Sequence, residues 1–542
     1  MPDDPHVAPS AAVAEALGVV HAYHARSKHR LERYAAGPET LDWSAQPDPF
    51  RTYTGAGVQP LPLGADALAS RWQAVHRPGA IPPQPLNADT LGTLLELTLG
   101  LAAWKQAGPD RWAVRCNPSS GNLHPTEGYV LAQGLPGLAD GLWHYRPREH
   151  ALERRCAWPA PAVSSPRLYV GFSAVLWREL WKYGERAFRY CQLDAGHALG
   201  ALAYAAAALG WHLRPVSIGH EALAALLGLD RDADFGKAER EEPELLVEVL
   251  AGGAASHTLP VVPPDAVWHG QANVLDHWPM YRWPVVDEVA RASRRPAGVS
   301  EHASPADAAL PPLQPAATEV RAATLIRARR SAQRFVRDAQ QDLASFLRLL
   351  DALLPRPGLP PWSGLDAPVR VHPLLFVHRV EGLAAGVYVL PRSASAVTTL
   401  RSALSEGFSW DKPEGVPAHL PLYRLADGTT AKITRTLSCH QALAADCTFT
   451  LALLAEFDAT LAAAPWAYRE LHHEAGLIAQ ALYLHAEAEG LRGTGIGCFF
   501  DDAVHALLGL ADARFQSLYH FTVGRPQPDA RIASEPPYPD RR

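Results

Sequence analysis

Two short stretches of the 542-residue sequence carry residue types that could do chemistry. The first is Arg115-Cys-Asn-Pro-Ser-Ser-Gly-Asn-Leu-His-Pro125. Proline, two hydroxyls, glycine and asparagine in succession make a turn whose N–H groups and side chains can hydrogen-bond a planar heterocycle, with Gly121 permitting close backbone approach. The second is Arg327-Ala-Arg-Arg-Ser-Ala-Gln-Arg-Phe335. Clustered guanidiniums beside a serine hydroxyl, read as the start of a helical region, suit a phosphate monoester through bidentate charge-assisted bonds and the helix N-terminus. Taken alone, the first stretch also reads as a plain turn and the second as a solvated basic helix end.

What must position these stretches is a repeated framework. Ala187-Phe-Arg189 and Ala467-Tyr-Arg469, Gly196 and Gly476, and Gly210 and Gly490 all stand 280 positions apart, and each copy runs on to Leu-Leu-Gly-Leu, at 226–229 and 507–510. A repeat this long implies two related folding units. In each, an apolar-periodic helix (Leu91 to Ala103; Leu343 to Leu354) precedes a strand (Gly128 to Leu131; Leu374 to Val377). A turn and second strand follow, 137–145 matching 382–390, and then the repeated helix. Its Ala-rich surface suits close helix–helix approach at an interface between the halves, since two copies of a fold usually meet about a pseudo-two-fold axis.

The two chemical stretches are lost in complementary fashion. Counting back from the shared His-Pro, the second half has Ala367-Pro-Val-Arg-Val-His-Pro373, without the hydroxyls, glycine and asparagine. Counting back from the following helix, the first half has Arg77-Pro-Gly-Ala-Ile-Pro-Pro83, without the arginine cluster.

Bulk properties bound the partners. The balance of 50 basic against 56 acidic residues, with no Lys/Arg-rich block, offers no footprint for nucleic acid or an anionic membrane. Six scattered cysteines without a C-x-x-C pair suggest neither a disulfide framework nor zinc, and the histidines show no metal spacing, so they read as surface or structural. Cys439-His440 and Cys447 lack a positioned base and read as structural. Glu185 and Arg189 read as a structural pair across one helical turn. An acidic N-terminus and no apolar run of about 18 residues leave export and membrane spanning unsupported, and a cytoplasmic location is expected. No dinucleotide or P-loop glycine motif is present.

Asn117-Pro-Ser-Ser-Gly-Asn122, the Arg-Arg-Ser stretch, the long central helix and the closing Phe521-Thr-Val-Gly-Arg-Pro526 resemble the FMN-dependent nitroreductase fold. Lys182-Tyr-Gly-Glu-Arg-Ala-Phe-Arg-Tyr190, Asp194-Ala-Gly-His197 and Gly137-Leu-Ala-Asp-Gly141 resemble its SagB-type branch, which includes dehydrogenases forming thiazoles and oxazoles from azolines in peptides. The resemblance implies an α+β fold of two nitroreductase-like domains, each a mostly antiparallel sheet flanked by helices, forming an intramolecular pseudo-dimer. It divides the chain into an extension (1–64), domain one (65–285), a Pro/Ala-rich linker (286–319), domain two (320–530) and a tail (531–542).

The same resemblance implies one FMN per chain at the interface. Arg329, Ser331 and Arg525 would hold its phosphate, Gly495 and Gly497 its ring edge, and Pro118, Ser119, Ser120, Gly121 and Asn122 its ring from the other half. The family's second basic residue, two after the serine, is Gln333 here, with Arg334 beside it. Lys182-Tyr183 matches the branch's functional Lys-Tyr motif, where a tyrosine acidified by the lysine would take a proton from carbon while hydride passes to flavin. Ala462-Ala463 stands at the matching place. The expected activity is oxidation of a peptide-derived or small heterocycle, with other peptide-modification enzymes as partners. The alternatives are a reductase drawing on NAD(P)H to reduce nitro compounds, quinones or flavin, and a cofactor-free scaffold subunit. No metal is expected; a monomer, alone or within a higher oligomer, is.

Overall fold

A computed structural model describes residues 11–158, 165–252, 261–299 and 310–541. Its framework is two antiparallel sheets with the same internal order. In the first half, Gly141–Arg146, Thr126–Gln133, Arg167–Ala174, Glu242–Leu250 and His212–Pro215 lie side by side. In the second, Gly386–Val389, Val371–Val377, Phe449–Glu456, Phe515–Gly524 and Arg492–Ile496 take the corresponding places. The first sheet extends further, to eight strands against six. The α+β class with antiparallel sheets flanked by helices is as expected.

The repeated helices, Ala187–Ala208 and Ala467–Ala488, are both 22 residues long and pack against each other. They cross at the repeated glycines. A side chain on Gly196 would run into the backbone of His473, and one on Gly476 into the backbone of Leu193, which is the reciprocal contact because 193 and 473 also stand 280 apart. Such i-to-j and j-to-i contacts are what a two-fold axis produces. The closest approach therefore belongs to glycines; the Ala201–Ala208 run instead packs in the first half's core with Leu477 and Leu484.

The helix expected over 91–103 is shorter. Asn87 caps it by accepting from the Asp89 and Thr90 N–H groups, and it ends at Thr98. Leu101–Ala107 and Asp110–Arg115 then form a hairpin whose turn uses Gly108 at φ 59°. This hairpin delivers the Pro-Ser-Ser loop. The tail returns to it: Ala533–Glu535 pairs with Leu101–Ala107, and the Tyr538 hydroxyl accepts from the Leu101 N–H at 2.8 Å.

The stretch expected as a linker is more built than a spacer. It includes most of a helix, Pro284–Ala292, which buries Val286, Val289 and Ala290 and whose Ala290 carbonyl accepts from Arg469 at 2.6 Å. Its Ser304-Pro305-Ala306 segment lies outside the described residues. The N-terminal extension carries a helix, Ala11–Arg26, whose Arg26 takes Glu185 in a two-pronged ion pair at 2.5 and 2.6 Å. Glu185 is thus not paired with Arg189, which pairs with Asp501 at 2.8 Å. Of the histidines read as surface or structural, His24, His29, His472 and His473 are buried, which fits the structural reading.

Candidate functional site

Between the halves lies a cavity of about 550 Å³, within the range of ~300–1,000 Å³ typical of cofactor and small-molecule sites. It brings together Pro118, Ser119, Ser120, Gly121, Asn122 and Tyr183 of the first half with Arg329, Ser331, Gln333, Gly495 and Gly497 of the second. Two expected residues are not on its wall. Arg525 is exposed and meets the Arg329–Phe335 segment's continuation only through its carbonyl, which accepts from the Val336 N–H. Lys182 lies behind Tyr183, its ammonium 5.5 Å from the Tyr183 ring centre and 5.3 Å from that of Trp43.

The Pro-Ser-Ser loop is shaped by its own hydroxyls. Ser119 Oγ accepts from the His124 N–H at 2.8 Å, while Ser120 donates its N–H and its hydroxyl to Asp194, the latter at 2.9 Å. Gly121 and Asn122 turn through φ 59° and 60°, and a side chain on Gly121 would strike the Tyr183 hydroxyl. The serine side chains are therefore committed to holding the loop on the central helix, and the loop offers its backbone to the cavity.

The arginine cluster is also placed differently from the expectation. Helix Ala322–Ala328 precedes it, so Arg329 caps a helix C-terminus and no helix N-terminus is available there. Arg329 is buried, donating to the Cys116 and Arg115 carbonyls at 3.2 and 3.1 Å, which ties the second half to the end of the first half's hairpin. Arg330 donates to the carbonyls of Arg327, Arg329 and Ala102. Among the described residues, neither forms an ion pair with a carboxylate. Burial lowers both, Arg330 to about 10, with Arg329 adding repulsion. Lys105 and Arg492 share this end, and burial followed by those two arginines, Arg330 and Arg492, lowers Lys105. Against these cations stands Glu487, 3.4 Å from Arg492. Positive charge, buried at Arg329 and half-buried at Arg330, is held by carbonyls, which orient but do not neutralise it. Ser331 Oγ shares a 2.8 Å hydrogen bond with Tyr483, whose hydroxyl accepts from the Gly495 N–H at 3.0 Å.

Part of the wall is aromatic. Gly495 and Gly497 lie so close to Tyr519 and Tyr190 that a side chain on either would overlap a ring or hydroxyl. Glycine is required there for the tyrosines to wall the cavity. Two further wall residues, Asp194 and His197, belong to the Asp194-Ala-Gly-His197 stretch, whose sequence alone assigns them no role. Burial raises Asp194 to about 7, against the pull of the Ser119 and Ser120 hydrogen bonds. His197 sits between Gln480 Oε1 and the Tyr519 hydroxyl at 3.3 and 3.2 Å, and burial lowers it to about 3, so it is neutral at pH 7. Tyr183 is raised well above the usual phenol range by burial, with Glu179, Tyr190 and Asp194 adding to it. The expectation of a lysine-acidified phenol is reversed. Lys182 is itself lowered by burial, and the charges of Glu179, Tyr190 and Asp194 add to the rise that burial gives Tyr183.

Shifting the cavity walls by 280 residues leads to a second, smaller cavity of about 90 Å³. Pro215, Ser217 and Ile218 stand there in the places of Gly495, Gly497 and Cys498. Ala367 of the degenerate loop lines it, whereas Arg77 does not.

Residues 326–525 match the nitroreductase family model. Three proteins, each described as a "putative nitroreductase", are similar to the chain. One, from Methanocaldococcus jannaschii, is 26% identical over 113 residues, 19% of this chain; the chain spans only 56% of that relative's length. The crystal structure from Anabaena variabilis is 21% identical, with 94% of this chain and 99% of that chain covered at a TM-score of 0.67. The third, from Ralstonia eutropha, is 16% identical over 38% of this chain and 82% of its own, with a TM-score of 0.25. The chain thus contains a nitroreductase family domain at 326–525, and its fold as a whole is nitroreductase-like.

Proposed function

We propose that the chain is an FMN-dependent oxidoreductase holding one flavin at the cavity between its halves, and that it oxidises a peptide-derived or small heterocycle as SagB-type dehydrogenases do. The observation that carries this reading is the composite cavity itself. It has two arginines, Arg329 and Arg330, without carboxylate partners among the described residues, a glycine-cradled aromatic wall, and a buried acceptor, Asn117 Oδ1, with no hydrogen-bond partner among the described residues. These features fit a flavin mononucleotide. Arg329 and Arg330, with Lys105 and Arg492, would hold the dianionic phosphate; Gly495, Gly497 and the backbone of the 118–122 loop would hold the ring system. A cofactor-free scaffold would leave Arg329 buried and Arg330 half-buried with carbonyl partners and only Glu487 nearby, a state that is costly.

When bound, the flavin supplies a two-electron acceptor for the hydride. The chain's residues supply the proton chemistry. Asp194, titrating near 7 on the cavity wall, is the group suited to accept a proton from the substrate carbon at neutral pH. Tyr183 remains a neutral phenol and donates a hydrogen bond to the substrate, and Lys182 behind it compensates the acids around it. His197, neutral and fixed between Gln480 and Tyr519, orients the Tyr519 hydroxyl.

The experiment is an absorbance spectrum of the natively purified protein with flavin quantification by denaturation. One FMN per chain is expected. A colourless protein that takes up no FMN on reconstitution would overturn the reading, and two flavins per chain would overturn its single-site form. Anaerobic bleaching by an azoline-containing peptide, with slow bleaching by NAD(P)H, is the expected substrate pattern; the reverse would assign the reductase activity instead.

A further inference from the structure

The cavity wall also carries a pair of thiols that the reading above leaves unused. Cys498 follows Gly497 and lines the cavity, half-buried. Cys439 sits in the turn after helix Ala431–Leu437, with positive φ at Cys439 (51°) and His440 (63°). Two bonds pin this turn against the Cys498 segment. The Phe500 N–H donates to the Leu437 carbonyl at 2.8 Å, and Gln441 Nε2 donates to the Cys498 carbonyl at 3.3 Å.

The surroundings of Cys498 favour a thiolate. Cys439 and His29 both act on the Cys498 sulfur in the direction that favours its thiolate. The Ala35 N–H donates to His29 Nδ1 at 2.9 Å, which leaves the ring proton of a neutral His29 on Nε2. Arg186 donates from Nε and Nη2 to the adjacent Gly497 carbonyl at 3.1 and 3.0 Å, which brings its cation beside the thiol, while its Nη1 pairs with buried Asp501 at 2.9 Å. The Cys439 hydrogen bond, then those from His29 and the Arg186 charge, holds Cys498 below the ordinary thiol range against the effect of burial; Cys439 moves the other way. Among the described residues, no group of His, Cys, Asp and Glu has metal-holding geometry, so this cluster is not a metal site.

We propose that Cys498 and Cys439 form a reactive dithiol whose substrates are small disulfides entering the cavity. The Cys498 thiolate attacks one sulfur of the disulfide, the substrate S–S bond breaks, and one thiolate leaves and takes up a proton. Cys439 then gives up its proton and displaces the second thiolate, closing a Cys439–Cys498 disulfide. Two protein thiols are oxidised and one small disulfide is reduced to two thiols, with no flavin required. A partly exposed thiolate in electropositive surroundings is the usual nucleophile of such exchange, which passes through a mixed disulfide.

The test uses the full chain, reduced, desalted and incubated with oxidised glutathione at neutral pH, followed by thiol counting and peptide mass spectrometry without reduction. Two of the six thiols should be lost, with Cys439 and Cys498 peptides joined. The Cys439→Ser variant should instead accumulate glutathione on Cys498, and the Cys498→Ser variant should leave Cys439 unmodified. Retention of all six thiols by the wild type would overturn the proposal. So would glutathione found on Cys439, or a wild-type mixed disulfide that never resolves. Because these readouts follow sulfur and need no cofactor, their failure is separate from failure of the flavin reading.

Discussion

The cavity and its counterpart 280 residues away are built on the same strands and helices, yet one is open and the other filled. In the open one, Gly495 and Gly497 let Tyr519 and Tyr190 stand back as walls, and Arg329 and Arg330 point positive charge at space. In the filled one, Pro215 and Ser217 replace the glycines, and Arg469 has a complete set of partners: Glu242 at 2.7 Å, Glu244 at 3.2 Å, and the Pro243, Ala290 and Ser293 carbonyls. The difference teaches that the fold alone makes a place for a ligand, and that paired or unpaired charge decides whether the place is kept. A buried arginine whose partners are carboxylates is finished; one held by carbonyls still calls for an anion.

The comparison breaks most sharply if the open site is made to look like the closed one. Gly495→Pro together with Gly497→Ser should abolish flavin retention, because the added atoms occupy the positions of the Tyr519 hydroxyl and the Tyr190 ring. Flavin absorbance per protein should fall to background while far-ultraviolet circular dichroism is unchanged, since both positions border the cavity.

A smaller loss is expected from Arg329→Ala. Charge-assisted hydrogen bonds are worth ~1.5–3 kcal/mol each, so removing one should weaken flavin binding by roughly 10–100-fold, measured by titrating apoprotein with FMN. The same variant frees the Arg115 and Cys116 carbonyls, so a fall in thermal midpoint should accompany it. Arg525→Ala, exposed and off the cavity wall, should do neither.

These contrasts also mark what could be read from sequence. The repeat was legible because glycine spacing survives wherever two helices must touch, as Gly196 and Gly476 do. The loop and the arginine cluster were legible because turn-forming and cationic residues are rare in such density. Their roles were less so. Ser119 and Ser120 hydroxyls serve the loop's own shape, and Arg329 ends a helix instead of starting one. Lys105 was out of reach because a hairpin that begins inside the expected 91–103 helix and runs on past it brings it to the site; Gly108-Pro109 was the available signal. Asp194 stood in a recognisable motif, but its titration near 7 depends on burial, which a linear pattern does not state.

That titration gives a third test of moderate size. Asp194 is protonated below about 7 and ionised above it, so turnover should rise with pH through that value. Asp194→Asn should lower the rate by ~10²-fold and flatten that limb while flavin stays bound. Stability should show the linked effect with a definite sign. The folded state raises this carboxyl above its ordinary value of about 3.9, so ionising it is harder in the folded chain. Its contribution therefore worsens as pH rises from about 4 through about 7, and wild type should lose stability relative to Asp194→Asn across that window.

The smallest expected effect on flavin, and the most informative about the closed site, comes from opening the counterpart. Pro215→Gly with Ser217→Gly restores the glycines, yet flavin stoichiometry should remain at one per chain. Arg469 would still be neutralised by Glu242 and Glu244, and the loop at Ala367 would still lack the 118–122 turn. Arg469→Ala separates structure from binding at the same place. It removes the arginine from buried Glu244, which keeps the Gln192 amide, while Glu242 keeps Arg294, and it should cost up to ~3 kcal/mol of stability in denaturant titration, with flavin content per folded chain unchanged. A second flavin in either variant would mean that side-chain bulk, and not the loss of an unpaired cation and a ring-side loop, closed the site.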